Sequence, residues 1–293
     1  MFPALLPRAL VAVFGIPLTI GAAWLGGWWI TAFASLVSVI GLWEFNGLAK
    51  AKGYPMFIGW AMAAGLVIVI GQQYQIAHVL AGVSVLLFLL FTYLVLRQRI
   101  ANAIGRLGFT MLGVVYVPGL FAHMIALRQL DPLTGTGWAQ RIVVQELCKL
   151  SHDFIANFGF YLLALTMALI WINDTAAYFV GMRLGKRRLA PAISPKKSVE
   201  GFAGGLIVTC GAAVALKHAW LRGLSLRDAI ILGAGIVLIG TLGDLFESLL
   251  KRDAGIKDSG NILPGHGGIL DRFDSLLFAA PFVYWYCRLF VMR

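Results

Sequence analysis

Charged side chains are scarce in this 293-residue chain, where Asp, Glu, Lys and Arg together make up 13% of the sequence. Hydrophobic residues make up 60%, and the mean hydropathy is +0.84. A soluble domain of this length cannot bury so much apolar surface. The composition therefore excludes an ordinary soluble fold and predicts an integral membrane protein.

Cysteine is also scarce, and several catalytic motifs are missing. The three cysteines, Cys148, Cys210 and Cys287, lie far apart without a Cys-x-x-Cys pair, so we expect buried small side chains and no zinc site. The chain has no Gly-x-x-x-x-Gly-Lys-Ser/Thr loop, no Ser-His-Asp order and no nucleophile elbow. These absences argue against a P-loop nucleoside triphosphatase and against a hydrolase with a Ser-His-Asp catalytic triad.

Long apolar runs are abundant, and a membrane-crossing helix needs roughly 20 apolar residues. The runs predict an all-α polytopic membrane protein of about nine transmembrane helices, near residues 8–24, 27–46, 56–71, 76–96, 107–127, 158–182, 202–220, 228–250 and 275–292. We divide the chain into an N-terminal helical region over 1–127, an extracytoplasmic connection over 128–157 and a C-terminal helical region over 158–293.

The net charge of +11 follows the predicted topology. Of the 24 Lys and Arg residues, 15 fall in the loops after the second, fourth, sixth and eighth predicted spans. The positive-inside rule then puts these loops in the cytoplasm. Attraction to anionic lipid headgroups accounts for the surplus, so we expect no nucleic-acid partner.

Acidic residues are nearly absent from the first half, where Glu44 is the sole example before residue 128. Glu44 is open to three interpretations: a polar contact between helices, a headgroup ligand or an interfacial side chain. Nine of the 13 acidic residues lie from Asp174 onward. We therefore expect a cytoplasm-facing polar site in the C-terminal half.

Asp174 lies within the sixth predicted span, nine residues before Arg183. An Asp at mid-span costs roughly 2.5–3.5 kcal/mol to insert, so an intramembrane carboxylate is a functional candidate by default. The alternative is an Asp that pairs with a neighbouring helix for packing.

The loop before the seventh predicted span reads Ser194-Pro195-Lys196-Lys197-Ser198-Val199-Glu200-Gly201. Pro191 and Pro195 make this loop non-helical. Lysines beside hydroxyls suit phosphate oxygens. Ordinary positive-inside charge explains Arg187 and Arg188 well, but it explains the Ser-Pro-Lys-Lys-Ser grouping less well. The predicted substrate-binding residues here are Ser194, Lys196, Lys197 and Ser198.

The segment 248–274 and the helix before it concentrate charge at the membrane boundary. Asp244, Glu247 and Ser248 share one helix face by their spacing. Clustered carboxylates fit Mg²⁺, and the candidate metal ligands are Asp174, Asp244, Glu247, Asp271 and Asp274. The candidates for phosphate oxygens are Lys251, Arg252, Lys257 and Arg272, with Gly267 and Gly268 allowing close ligand approach. His266 is either a phosphate ligand or a structural loop residue.

Carboxylates for metal, bases for phosphate and a glycine loop together indicate metal-assisted phosphoryl or nucleotidyl transfer. A transporter that uses Asp174, Asp244 and Glu247 as an ion pathway is the alternative from another class. It predicts charges spread through the membrane, whereas these gather at one face.

The spacing within 248–274 resembles the signature of the phosphatidate cytidylyltransferase family without a departure, and reads Ser248-x-x-Lys251-Arg252-x₄-Lys257-Asp258-x-Gly260-x₂-Leu263-Pro264-x-His266-Gly267-Gly268-x-x-Asp271-Arg272-x-Asp274. The Asp174-Thr175-x-Ala177-Tyr178 run and the Ser194–Gly201 loop also resemble conserved blocks of that family. The specific resemblance covers about residues 170–293.

The resemblance implies the reaction of CTP with phosphatidic acid in phospholipid biosynthesis, giving CDP-diacylglycerol and pyrophosphate with Mg²⁺ and, as a further expectation, a second cation. It also implies a homodimer in the cytoplasmic (inner) membrane. Its implied catalytic residues are Asp271, Asp244, Lys197, Lys251 and His266. A related enzyme acting on a polyprenol or ether-lipid phosphate is the nearest alternative, because tail recognition lies in unmarked apolar helices.

Overall fold

The computed structural model describes residues 5–74, 79–97, 101–131, 157–221, 224–260, 262 and 267–291, and these are mostly helical, as predicted. The helices are α1 (Leu5–Leu25), α2 (Gly27–Ala51), α3 (Ile58–Gln73), α4 (Val79–Leu96), α5 (Ala103–Val114), α6 (Leu120–Arg128), α7 (Phe158–Leu184), α8 (Val199–Trp220), α9 (Leu226–Asp253) and α10 (Leu270–Tyr286). A π-helical turn, Val115–Gly119, joins α5 to α6, and another, Cys287–Val291, follows α10. The strands β1 (Arg188–Ala190) and β2 (Ser194–Ser198) form an antiparallel hairpin.

Five helical segments among the described residues are long and apolar enough to cross a membrane: Gly27–Ala51, Ala103–Arg128, Phe158–Leu184, Val199–Trp220 and Leu226–Asp253. Shorter apolar helices lie at Val13–Leu25, Ile58–Gln73 and Ala81–Leu96. The predicted all-α class is therefore confirmed for the described residues, with five candidate membrane spans. Nine crossings, and the side of the membrane that the polar site faces, stay predictions.

The chain divides by packing into two compact units. The first unit comprises Met1–Ile125 and Leu250–Phe273, and the second comprises Ala126–Leu249 and Asp274–Arg293. The signature segment 248–274 therefore contributes residues to both units. The predicted division at residues 127 and 158 follows the course of the chain rather than its packing, and it stays a prediction.

Helix α2 lies at the centre of the first unit, where it contacts α1, α3 and α5. Its Leu42 and Phe45 are fully buried, and the Phe45 ring lies 6.0 Å from that of Tyr116. The helix ends because Gly53 takes a left-handed conformation, with a φ of 81°, that residues with a Cβ rarely adopt. The Tyr54 N–H then donates to the Ala49 carbonyl at 2.8 Å, which closes the last turn.

Helices α7 and α8 pack closely along their length in the second unit. A Cβ at Gly201 would lie 2.7 Å from the Ala177 carbonyl oxygen, and one at Gly205 would lie 2.5 Å from Asn173 Oδ1. Small residues at these positions let the two helix backbones approach each other closely.

Candidate active site

A cavity of about 550 Å³ opens within the second unit. Three of the sequence motifs meet around it, together with the start of α10. Its polar lining comes from α7, the hairpin, α8, α9 and α10, and includes Asn173, Asp174, Tyr178, Arg188, Lys196, Lys197, Ser198, Thr241, Asp244 and Ser275. The structure thus brings the intramembrane Asp174, the basic loop and the acidic face of α9 to one place.

The hairpin holds the basic loop in a fixed register, with Arg188 opposite Ser198. The Ser198 side chain caps α8 by accepting a hydrogen bond from the Gly201 N–H at 3.1 Å. The Glu200 carboxylate accepts from the backbone N–H groups of Lys186 and Arg187 at 3.0 and 3.1 Å. The predicted non-helical loop is confirmed, and its two ends are tied together at the start of α8.

Lys197 forms an ion pair with Asp244 at the cavity wall. Both side chains are 29% exposed, so each still reaches solvent or a ligand in the cavity. Lys196, one residue earlier, is exposed and also lines the cavity. Two ammonium groups and the Ser198 hydroxyl therefore face the same space, an arrangement that suits the oxygens of a phosphorylated ligand.

Asp274 of the second unit lies close enough to Asp244 and Asp174 to experience the charge of each. Among the residues that the structure describes, no group of three or more His, Cys, Asp or Glu side chains is arranged to hold a metal ion. Mg²⁺ needs only one or two carboxylates, because it completes its shell with water and ligand phosphates. Asp174 and Asp244 line the cavity and meet that requirement, and the Lys197 ammonium shows that Asp244 accepts a cation. Asp274 lies near both carboxylates but does not line the cavity.

Two predicted site residues of α9, Ser248 and Glu247, lie in different surroundings. The Ser248 hydroxyl lies 3.4 Å from Asp244 Oδ1, which confirms that these two share a helix face. Glu247 is fully buried and does not line the cavity. Its assignment as a metal ligand therefore has no support from the cavity and stays a prediction.

A second charged cluster lies within the first unit, at the start of α10. Asp271 Oδ1 accepts a hydrogen bond from the Lys251 ammonium at 2.5 Å, and the two side chains are 7% and 12% exposed. Asp271 Oδ2 accepts from the Gly268 N–H at 2.8 Å, and from the Ser259 N–H and hydroxyl at 3.0 and 2.9 Å. Both oxygens of the carboxylate are therefore held in place.

The environment of Asp271 keeps its carboxylate ionised. Burial alone would raise its pKa, but the Lys251 ammonium and the Gly268 and Ser259 hydrogen bonds outweigh that cost, and the pKa of Asp271 falls below its usual range. A carboxylate that stays charged at neutral pH is the form that pairs with Lys251 or binds a cation.

The remaining predicted site residues are distributed as follows. Arg252, Lys257 and Arg272 are exposed in the first unit, and Ser194 is half-buried in β2 without lining the cavity. A Cβ at Gly267 would lie 2.7 Å from Asp271 Oδ2, and its φ is +80°. His266 lies outside the described residues, as do Cys148 and most of the predicted connection 128–157.

Sequence reasoning missed several residues. The positive-inside rule accounts for Arg188 in the sequence, yet this residue lines the cavity beside Lys196 and Lys197. Tyr178 also lines the cavity, and its position in the Asp174–Tyr178 run indicates no role by itself. Glu44 and Ser259 form hydrogen bonds with the start of α10, and no local signal could reveal this, because Glu44 is distant in sequence.

The chain resembles known proteins over nearly its whole length. The model of the cytidylyltransferase family matches residues 6–290. The phosphatidate cytidylyltransferase of Synechocystis sp. is 34% identical over 283 residues, which are 95% of each chain. The protein of the same name from Staphylococcus aureus (strain COL) is 31% identical over 280 residues, 94% of this chain and 95% of that one. That from Bacillus subtilis (strain 168) is 39% identical over 202 residues, 69% of this chain and 65% of that protein.

Proposed function

Because the chain belongs to the cytidylyltransferase family, we propose that it transfers CMP from CTP to phosphatidic acid, giving CDP-diacylglycerol and pyrophosphate. The structural observation that supports this proposal best is the cavity in which Lys197 pairs with Asp244. Cations for phosphate and carboxylates for metal stand side by side there. Membership of this family also favours group transfer over the alternative of ion transport.

The reaction exchanges one phosphorus–oxygen bond for another. An oxygen of the lipid phosphate attacks the α-phosphorus of CTP, and the bond from that phosphorus to the bridging oxygen breaks. Pyrophosphate leaves with the electron pair. A phosphate monoester has a second pKa near 6, so it is mostly dianionic at neutral pH and needs no dedicated base. The main obstacle is repulsion between two polyanions.

The residues of the cavity reduce that repulsion. Lys196, Lys197 and Arg188 supply positive charge to phosphate oxygens, and the Ser198 hydroxyl supplies a further polar contact. Because the hairpin and the Ser198 cap order the backbone of this loop before ligand binds, less reorganisation is required during the reaction.

Mg²⁺ belongs to this proposal as a cofactor that Asp244 and Asp174 of the cavity wall would hold, with Asp274 nearby. Bound Mg²⁺ would neutralise phosphate charge and favour the departure of pyrophosphate. Asp271 remains a predicted metal ligand, and a second cation remains a prediction. The supporting observation is the donor set: hard carboxylate oxygens of the kind that Mg²⁺ prefers.

The proposed setting is the cytoplasmic membrane, with the site facing the cytoplasm where CTP is found. The five apolar helices and the membrane-like composition support membrane insertion. The excess of Lys and Arg in alternate loops supports the orientation. A homodimer is part of the proposal through the family resemblance alone.

One assay tests the proposed reaction. Detergent-solubilised protein is incubated with labelled CTP, Mg²⁺ and, separately, phosphatidic acid, a polyprenyl phosphate and an ether-lipid phosphate. We expect labelled liponucleotide to form with phosphatidic acid, and we expect none to form when Mg²⁺ is left out. Product with the polyprenyl phosphate alone would favour the related enzyme, and no product with any lipid would contradict the proposal.

A further inference from the structure

Glu44 is a buried carboxylate on a membrane helix that binds a segment distant in sequence, the start of α10. It belongs to α2 and is 2% exposed. Its Oε1 accepts a hydrogen bond from the Ile269 N–H, and its Oε2 accepts one from the Leu270 N–H, both at 2.9 Å. The first N–H groups of a helix have no partner within the helix, and a negative charge beside them is favourable. Glu44 therefore caps α10 from another helix.

Ser259 connects Glu44 with Asp271. Its hydroxyl lies 2.9 Å from Asp271 Oδ2 and 3.4 Å from Glu44 Oε2. A hydroxyl carries a single proton, and the shorter contact shows that Asp271 is its principal acceptor. The two carboxylates thus share one hydroxyl and divide the backbone donors at the start of α10 between them.

Two glycines of the signature segment make room for the Glu44 carboxylate. A Cβ on Gly260 would lie 2.5 Å from Glu44 Oε1, and a Cβ on Gly268 would lie 2.6 Å from Glu44 Oε2. At these distances a Cβ at either position would force the Glu44 carboxylate to shift. The loop is therefore shaped around Glu44 on two sides, which a carboxylate of incidental position would not require.

The residues that Glu44 holds belong to the same cluster as the predicted catalytic pair. Asp271 follows Leu270 directly and binds Lys251 at 2.5 Å. Any rotation of the first turn of α10 would move both the carboxylate and the lysine that it holds. Misplacement of a reacting group by about 1 Å can cost about 100-fold in rate.

We propose that Glu44 is a positioning residue for the transfer reaction. It fixes Ser259 and the first turn of α10, and through them the arrangement of Asp271 and Lys251. Glu44 makes no contact with substrate in this role. The inference rests on the proposed function, since it assumes that Asp271 and Lys251 serve that reaction.

The test is Glu44→Gln in the full-length protein, assayed in detergent with CTP and phosphatidic acid. The amide keeps the shape of the side chain, but its NH₂ group must face a backbone N–H donor, so one hydrogen bond becomes repulsive. We expect kcat to fall about 10- to 100-fold, the range seen when residues that orient a ligand-binding group are replaced. The KM for CTP should stay within about threefold.

A structural readout separates positioning from general stability. Hydrogen exchange should increase at the amides of 267–273 in Glu44→Gln, while α7 and α8 keep the exchange of the wild type. The control is Asp253→Asn, which breaks an exposed ion pair with Lys52 in the same unit, where Asp253 is 60% exposed. This variant should keep kcat, KM and the exchange pattern.

Ser259→Ala provides a second variant should Glu44→Gln fail to fold. It removes the shared hydroxyl without burying a new polar group, and it should also lower kcat. Unchanged kcat in a folded Glu44→Gln or, failing that, in Ser259→Ala would overturn the inference. A loss of activity that matches the loss of folded protein would overturn it too. An inactive wild type would instead contradict the proposed function.

Discussion

Lys197→Ala tests the cavity most directly, because Lys197 is the lysine that the hairpin holds against Asp244. The substitution removes an ammonium whose side chain is 29% exposed and whose carboxylate partner is exposed to the same extent. A ligand phosphate would meet this charge at the wall of the cavity. We expect binding of CTP or of the lipid phosphate to weaken.

The size of the effect follows from the type of contact. A hydrogen bond to a charged group contributes about 1.5–3 kcal/mol. Since about 1.36 kcal/mol corresponds to tenfold, kcat/KM should fall about 10- to 150-fold. The partial exposure of Lys197 favours the lower end, because solvent screens the interaction. The loss should appear mainly as a raised KM for one of the two substrates.

The assay measures initial rates of liponucleotide formation over matched ranges of CTP and phosphatidic acid. Lys186→Ala is the control, since Lys186 is exposed in the same connection but does not line the cavity. It should retain the kinetic constants of the wild type. Unchanged KM and kcat in Lys197→Ala would refute the assignment and would leave Lys197 as a residue of membrane topology.

Three further variants or conditions give distinct expectations. Asp271→Asn should fold but lose liponucleotide formation, and near-wild-type turnover at saturating Mg²⁺ would rule out its metal role. Since the pKa of Asp271 is depressed, its contribution to stability is present above the unfolded pKa of about 3.9 and is lost as pH falls through the folded pKa. The difference in thermal midpoint between wild type and Asp271→Asn should therefore be constant from pH 5 to 8. A difference that shrinks within this range would disprove the depressed pKa. Gly268→Ala should lower the free energy of unfolding by about 1–3 kcal/mol, because its Cβ would lie 2.2 Å from Ser259 Oγ. Gly47→Ala, with open space around its Cβ, is the matched control for thermal melting, and equal midpoints would contradict the packing argument.

The helical class was predictable because hydrophobic runs of membrane length leave few other structures open to the backbone. The predicted span 107–127 illustrates the limit of this reasoning. Hydropathy treats it as one helix, whereas the structure has a π-helical turn at Val115–Gly119, which contains Pro118. Proline lacks the N–H that a regular helix requires, so the turn has a local cause. Its form still depends on packing that hydropathy does not describe.

The candidate site was predictable in composition but not in pairing. Charge at the membrane boundary identified Asp174, Lys197 and Asp244 one by one, because charges in an apolar chain are costly. The sequence did not indicate that Lys197 pairs with Asp244, since these residues are 47 positions apart. Short-range spacing reports neighbours on one helix, as for Asp244 and Ser248, and is silent about contacts between elements.

Glu44 shows how a functional interpretation of glycine depends on such distant contacts. Considered alone, Gly268 suggested a backbone left bare for a ligand. In the structure its N–H donates to Asp271, and the space of its missing Cβ is filled by Ser259 and Glu44. The missing side chain of Gly268 therefore leaves space for Ser259 and Glu44, and not only for a substrate. If Gly268 served ligand access alone, Gly268→Ala would raise KM without changing stability, whereas the packing in the structure requires that both stability and kcat decrease.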